Sequence, residues 1–335
     1  MIIARAPLRI SFVGGGTDLS AFYSQYPGRV LSAAINKYVY VTVTKTPFRH
    51  VAVRYSNAEM VLDPKELKND RVREALLDLN FSGGLEVSTF SHLPGQTGLG
   101  SSSAFSVALI KALSALQGKH ISSDVCAEGA CRLEIDLVGE PIGKQDQYAS
   151  AFGGINVFQF NQDHSVEVDP VHLDFKTHLD FERHLLLFFL GVTRSASSVL
   201  KEQKENTKKE QHFETLKLMA QSVGEFRKAL VQADFEEVGN ILNENWMRKR
   251  SLASTISNPI IDELYNAGMK AGAWGGKILG AGGGGCLLFV VSPDRRELVS
   301  HALTMSAAQN QLTEATVLPF SFVQSGAEIV VNTKE

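Results

Sequence analysis

The residues best suited to chemistry in this chain lie in or beside three glycine-rich segments: Gly14 to Thr17, Pro94 to Ser103, and Gly280 to Gly285. Glycine tolerates positive φ and lets backbone approach a ligand closely, although any one segment alone can be only a tight turn. The middle segment is the most informative. Gly98 and Gly100 precede Ser101, Ser102 and Ser103, and then Phe105, Ala108, Leu109, Ala112, Leu113 and Leu116 recur at helical spacing. A helix N-terminus offers unpaired N–H groups and about half a positive charge. Both favour an anion, so the segment reads as a phosphate cradle, in which a serine hydroxyl could also ligate Mg²⁺. The plain alternative is serine N-capping, which needs no preceding glycines.

A carboxylate, Asp146, stands in the small-residue loop PIGKQDQYASAFGG beside Lys144. It could accept a proton from a substrate hydroxyl, or serve only as a turn residue. The familiar nucleotide fingerprints do not account for these segments. Gly276-Lys277 is followed by Ile278 where a P-loop needs Ser or Thr, and Ala271 stands where its first glycine belongs. Gly280, Gly282 and Gly285 fit G-x-G-x-x-G, but the strand-like CLLFVV follows instead of a helix. No H-R-D or D-F-G element of a protein kinase is present. Cys126, Cys131 and Cys286 form neither a disulfide framework nor zinc-ligand spacing, and read as small buried residues.

The elements that must position these residues can be read from periodicity. Short strands are expected at 10–13, 30–44, 50–56 and 84–90, with a helix over 64–79. The helix opened by the serines should stop at Gly118, and a second should run from about Ser123 to Val138, carrying Glu134. Strands are expected at 153–160, 166–173 and 184–192. A mostly helical stretch covers 197–256, and another helix starts at Asn258-Pro259. The late glycine segment feeds a strand, and a helix over 294–310 precedes one or two final strands. With no regular βαβ rhythm, the pattern predicts two α+β domains, with a seam near residues 161–180.

The length of 335 residues also suits two domains at roughly 150 residues each. Lys and Arg number 33 against 36 Asp and Glu, for a net charge of −3. Such a balance gives no support for a nucleic-acid partner. The longest apolar run, Leu185 to Val192, is too short to span a bilayer, and Arg5 and Arg9 interrupt the apolar start. No membrane partner and a cytoplasmic location are therefore expected.

Taken together, the segments resemble the GHMP kinases. Ala6-Pro7-Leu8-Arg9 matches the family's A-P-x-R segment, Pro94 to Ser103 its P-x-x-x-G-L-G-S-S-[AS] loop, and Lys277 to Cys286 its late glycine segment, in the family's order. The resemblance implies an ATP- and Mg²⁺-dependent phosphotransferase. It implies a ribosomal protein S5 domain 2-like N-terminal domain over 1–170, which binds ATP, and a ferredoxin-like C-terminal domain over 171–335. It places ATP on Pro94, Gly95, Gly98, Leu99, Gly100, Ser101, Ser102 and Ser103. It gives Mg²⁺ to Ser102, or a neighbouring serine, and Glu134, and catalysis to Asp146 with Arg9.

Within the family, APLRISFVGGGTDL and GKQDQYASAFGG look like the branch that phosphorylates the anomeric hydroxyl of heptose 7-phosphates for surface-glycan precursors. Galactokinases carry G-E-H-T-D in the first motif. Here Gly15 and Gly16 replace the Glu and His, while Thr17 and Asp18 remain. Asp18, Gly15, Gly16, Gly282 and Gly283 are thereby assigned to the acceptor. A phosphorylated sugar also needs a cation away from ATP. Arg194, in the turn after the strand at 184–192, is the candidate, with a surface arginine as the plain reading. A fucokinase-like or galactokinase-like enzyme, a mevalonate or homoserine kinase, and a non-catalytic sugar sensor on the same fold are the other readings.

Overall fold

The computed structural model describes residues 1–193, 202, 206, 207 and 209–333. The chain opens with β1 (Ile2–Val13), a one-turn α1 (Ser20–Tyr23), β2 (Gly28–Lys45), β3 (Val51–Arg54) and β4 (Ala58–Val61). Next come α2 (Asp70–Asp78), β5 (Leu85–Ser91), α3 (Ser101–Leu116), α4 (Ser123–Cys131), α5 (Gln145–Phe152), β6 (Ile155–Phe160) and β7 (Val166–Pro170). Then α6 (Phe175–His184) leads into β8 (Leu185–Phe189), α7 (Glu210–Val231), α8 (Phe235–Arg250) and α9 (Pro259–Lys270). The last elements are β9 (Ala273–Ile278), β10 (Cys286–Val291), α10 (Arg296–Gln309), β11 (Thr316–Val317) and β12 (Glu328–Asn332).

Two sheets organise these elements. The first runs β12-β1-β2-β5-β3-β4, with β6 added to β2 and β7 to β6. The length of β2 allows this: Gly28 to Ala33 pair with β6, and Val39 to Lys45 pair with β5. The last strand, β12, returns to pair with β1. The second sheet is antiparallel in the order β11-β8-β10-β9.

The central strands of the second sheet, β8 and β10, are buried on both faces, which explains why they read as unbroken apolar runs. Along β10, Cys286, Leu288 and Val290 join the core shared with the first sheet, while Leu287, Phe289 and Val291 join a second core with Leu264 and Leu303. In β8, Leu185 and Leu187 alternate with Leu186 and Phe188 in the same way. In the shared core the Phe12 ring lies 5.3 Å from Phe181 and 5.4 Å from Phe226, tying β1 to α6 and α7. Each such buried side chain contributes roughly 1.5–3 kcal/mol.

Several elements differ from their sequence expectations. The helix expected over 64–79 is a 3₁₀ turn at Pro64–Glu66 followed by α2, because Asn69 accepts from the Val72 amide and starts a new helix. The helix expected over 123–138 passes from α4 into a π-helical stretch at Arg132–Leu137. The strand expected at 184–192 is confined to 185–189 and is preceded by α6, whose start is capped by Asp174 accepting from Thr177. Among the described residues no helix is long and apolar enough to cross a membrane. All three cysteines are buried, and burial pushes the Cys126 and Cys286 thiols up to about 12.

Candidate active site

A cleft of about 280 Å³ opens where β1, α3 and α5 meet α8 and the turn between β9 and β10. Its wall is formed by two glycine-rich loops packed backbone to backbone. A Cβ on Gly98 would stand 2.6 Å from the Leu279 carbonyl oxygen, and one on Gly280 would stand 2.7 Å from the Gly98 Cα. Gly98 and Gly280 also have positive φ, at 80° and 67°. Glycine is therefore required at this contact for both space and conformation. Gly282 lies against the Ile256 carbonyl in the same manner, 2.5 Å from a would-be Cβ.

Beyond Gly98 the chain turns into α3. The N-cap is Gly100, in the left-handed region, and no side chain caps the helix. The first-turn amides are thus available to an anion, and serine N-capping does not describe this terminus. Gln96, Gly98, Gly100 and the three serines all line the cleft. Leu99 is buried, and its carbonyl accepts from the Arg9 amide at 3.0 Å. Pro94 and Gly95 are exposed and do not border the cleft.

Asp146 is not in a loop, as the sequence suggested, but in the first turn of α5. The short run of helix-compatible residues between Gly143 and Gly153 is long enough for two turns. Arg9 meets it from β1: Nε donates to Oδ1 at 2.8 Å and Nη2 to Oδ2 at 2.8 Å. Nη1 donates to the Gly98 carbonyl at 2.7 Å. The guanidinium is almost wholly buried, whereas Asp146 keeps a quarter of its side chain open to the cleft. Bidentate pairing of this kind fixes a carboxylate in both position and orientation.

Behind the serines lies Glu134, fully buried in the π-helical stretch. Its Oε1 accepts from Ser102 Oγ at 3.1 Å and Arg71 Nε at 3.0 Å, and its Oε2 accepts from Gln147 Nε2 at 2.6 Å. Arg71 also reaches Glu140 at 3.1 Å. A hydroxyl and a carboxylate in contact are hard oxygen donors of the kind Mg²⁺ takes, so this pair fits that ion.

The opposite end of the cleft is built around Asp18, which is buried. Its Oδ1 accepts from the Gly16 amide at 3.0 Å and from Gln145 Nε2 at 3.2 Å, and its Oδ2 from the Gln145 amide at 3.3 Å. Burial raises the Asp18 pKa, and the Asp146 charge adds to that. Lys249 enters from α8, and burial next to Arg9 lowers its pKa to about 8. Lys277, on β9, donates to the Ser11 and Phe12 carbonyls at 2.8 Å each.

The structure therefore brings together Arg9, Asp18, Asp146, Ser101, Ser102, Ser103, Gly16 and Gly282 around one cleft, with Glu134 directly behind Ser102. Gly15 and Gly283 are next to it in sequence but do not line it, and the Gly283 amide donates to the Ile256 carbonyl at 2.9 Å. Arg194 lies outside the described residues. Sequence reasoning missed Arg71, Gln145 and Lys249. Gln145 adjoins Asp146, and Lys249 falls on the buried stripe of α8, four residues after Asn245.

Comparison with known proteins accords with this arrangement. Residues 68–154 match the GHMP kinases N terminal domain, and residues 226–307 match the GHMP kinases C terminal domain. D-glycero-alpha-D-manno-heptose 7-phosphate kinase of Campylobacter jejuni is 29% identical over 98% of this chain and 98% of its own length. Mevalonate kinase of Thermococcus gammatolerans is 30% identical over 78% of this chain and 75% of its own. The crystal structure of a D-glycero-D-manno-heptose 1-phosphate kinase from Bacteroides thetaiotaomicron superposes with a TM-score of 0.79 at 26% identity, covering both chains in full. The fold, the order of the glycine-rich loops and these likenesses together place the chain in the GHMP kinase family, as an ATP-dependent phosphotransferase with that family's two-domain fold.

Proposed function

We propose that the acceptor is D-glycero-D-manno-heptose 7-phosphate, phosphorylated on its anomeric hydroxyl to give the 1,7-bisphosphate for nucleotide-heptose and surface-glycan synthesis. The observation that carries this reading is the first glycine segment. Thr17 and Asp18 are retained as in sugar kinases, while glycines stand at positions 15 and 16 in place of the Glu and His of galactokinases, and Gly16 borders the acceptor end of the cleft. The full-length likeness to a heptose 7-phosphate kinase supports the same acceptor, and the likeness to a heptose 1-phosphate kinase supports a heptose substrate more broadly.

In this reading the α3 amides and the loop from Gly98 to Ser103 hold the ATP phosphates. Ser102 and Glu134 would hold Mg²⁺, which when bound offsets charge on the transferred phosphoryl group. Phosphoryl transfer asks little covalent work of a protein, so positioning and charge dominate. Asp146 orients the anomeric hydroxyl and takes its proton at the carboxylate. Arg9 holds that carboxylate by two bonds and adds positive charge beside the oxygen that becomes the nucleophile. Asp18 binds a sugar hydroxyl.

The test is coupled-assay ATP turnover with heptose 7-phosphate, galactose, fucose and mevalonate as acceptors. The reading expects heptose 7-phosphate to have the highest kcat/KM. Faster turnover of galactose or fucose would replace it with another sugar kinase of the family. No turnover of any acceptor, with ATP still bound, would favour a non-catalytic sensor.

A further inference from the structure

Arg71, in the first turn of α2, stands between the cleft and the buried carboxylate of Glu134. Arg71, Ser102 and Glu140 line the cleft, whereas Glu134 lies behind them and is fully buried. Its Oε2 accepts from Gln147 Nε2 at 2.6 Å, and Gln147 is itself fully buried, so the carboxylate is held in one orientation. The other oxygen, Oε1, accepts from Ser102 Oγ at 3.1 Å and from Arg71 Nε at 3.0 Å. It is the oxygen that a metal ion shared between Ser102 and Glu134 would use, and Arg71 already holds it. A buried carboxylate is costly without a cation, and Arg71 supplies one. The far end of the guanidinium is less committed. Nη2 donates to Glu140 at 3.1 Å, and among the described residues no hydrogen bond engages Nη1. About a quarter of the side chain, 24%, is open to the cleft.

Resting on the kinase reading and its Ser102–Glu134 metal pair, we propose that Arg71 is an exchangeable counter-ion: it yields Glu134 Oε1 to Mg²⁺ and, pivoting on Glu140, turns to bind a phosphate of the nucleotide. The charges give the exchange its direction. Glu134 and Glu140 contribute two negative charges and Arg71 one positive, a net of −1 beside the loop that holds the ATP phosphates. With Mg²⁺ added the sum is +1, which suits an anion. A guanidinium sharing one carboxylate oxygen with Mg²⁺ is repelled by it, whereas beside a phosphate the same group can form two parallel hydrogen bonds. Arg71 thus lowers affinity for the metal alone and raises it for the metal–nucleotide complex, so the ion is retained when ATP accompanies it.

The experiment uses the intact protein and needs no sugar acceptor, so the heptose assignment does not enter it. Mn²⁺, an oxygen-seeking ion followed by electron paramagnetic resonance, serves as the probe in place of Mg²⁺. Arg71→Met should bind Mn²⁺ alone about tenfold or more tightly than the wild type does. It should bind the Mn²⁺ complex of a non-hydrolysable ATP analogue about tenfold or more weakly, the scale of one hydrogen bond to a charged group in each case. A residue with a merely structural role would lose affinity for both. Should Arg71→Met fail to fold, as judged by thermal unfolding, the wild type decides by nuclear magnetic resonance. Its Arg71 Nε–H signal, identified by its loss in Arg71→Lys, should move at saturating Mg²⁺ without nucleotide and at matched ionic strength. Mn²⁺ affinity no tighter in a folded Arg71→Met, unchanged affinity for the nucleotide complex, or an unmoved signal would each overturn the exchange. Glu134→Gln alone separates this from failure of the metal pair. Unaltered affinity of that variant for the nucleotide complex removes Glu134 from the metal site and the proposal with it. Weakened affinity there, with no gain in Arg71→Met, overturns the exchange and leaves the metal pair standing.

Discussion

Arg9 and Asp146, 137 residues apart in sequence, are joined by two parallel hydrogen bonds of 2.8 Å, and the remaining nitrogen of Arg9 holds the Gly98 carbonyl. One guanidinium thus fixes the position of the acidic group relative to the phosphate-binding loop. The strand that carries Arg9, the helix that carries Asp146 and the glycine loop are locked together before any substrate enters. Such preorganisation is what in-line transfer needs, because a small misplacement of the reacting hydroxyl is costly in rate.

Asp146→Asn should therefore lower kcat by about 10²–10⁴-fold while ATP affinity stays close to that of the wild type. The amide keeps the shape but loses charge and basicity, and it faces Arg9 with a donor where an acceptor stood. Turnover by stopped assay and ATP binding by calorimetry separate the two effects. Activity within about threefold of the wild type would remove Asp146 from the proton-transfer role.

Gly98→Ala should damage the ATP loop through the backbone. Its Cβ would lie 2.6 Å from the Leu279 carbonyl oxygen at a φ of 80°. Strain of this kind costs roughly 1–3 kcal/mol. Both Tm and ATP affinity should fall. Gly95→Ala is the control for stability, since nothing lies within 4 Å of its would-be Cβ and its φ is unstrained. Equal Tm for the two variants would show that the contact between the loops carries no energetic weight.

Much of this site was legible in the sequence because its features are local. Gly98, Gly100 and the serines announce a glycine loop opening a helix, and Asp18 stands two residues after its glycines. The apolar runs of β8 and β10 read as buried strands because both of their faces are covered. What was illegible depends on tertiary contact. Arg71 looks like one more charge on a surface helix until Glu134 is seen behind it. Lys249 sits in the charged run Arg248-Lys249-Arg250, where only its alignment with Val238, Leu242 and Asn245 hints at burial. Nothing in the local pattern shows that α5 begins at Gln145, because Gly143 is set by contact with Asp18, whose Oδ2 lies 1.9 Å from where a Cβ would be.

Arg71→Ala should destabilise the fold by leaving Glu134 buried without its cation. Removing one member of a buried pair costs about 3–5 kcal/mol, and the partial exposure of Arg71 reduces that figure. The double variant Arg71→Ala with Glu134→Gln should recover most of the loss, because no uncompensated charge remains. Urea unfolding of the two single variants and the double variant gives the coupling directly. In activity assays Glu134→Gln should raise the Mg²⁺ concentration needed for half-maximal rate. Additive stability losses, or an unchanged Mg²⁺ requirement, would argue against a shared role for these residues.

Lys277 makes a prediction about pH. Its ammonium is buried and donates to the carbonyls of Ser11 and Phe12, tying β9 to the end of β1. Burial, with Lys249 and Arg9 nearby, pushes its pKa well below the ordinary 10.5. Both hydrogen bonds survive deprotonation, because a neutral amine still has two N–H groups. In the window from the lowered folded value up to 10.5 the unfolded chain binds more protons at this site, so stability rises with pH. Below that window the cost of the buried charge is present in full. The wild type should therefore gain stability relative to Lys277→Met as pH is raised from neutral toward 10.5, as read from urea midpoints at matched ionic strength. Lys249 titrates in the same direction and is charge-coupled to Lys277, so the same comparison in a Lys249→Met background isolates Lys277. A difference that stays flat across the whole range would mean that Lys277 keeps its proton in the folded state and is stabilised there as a cation.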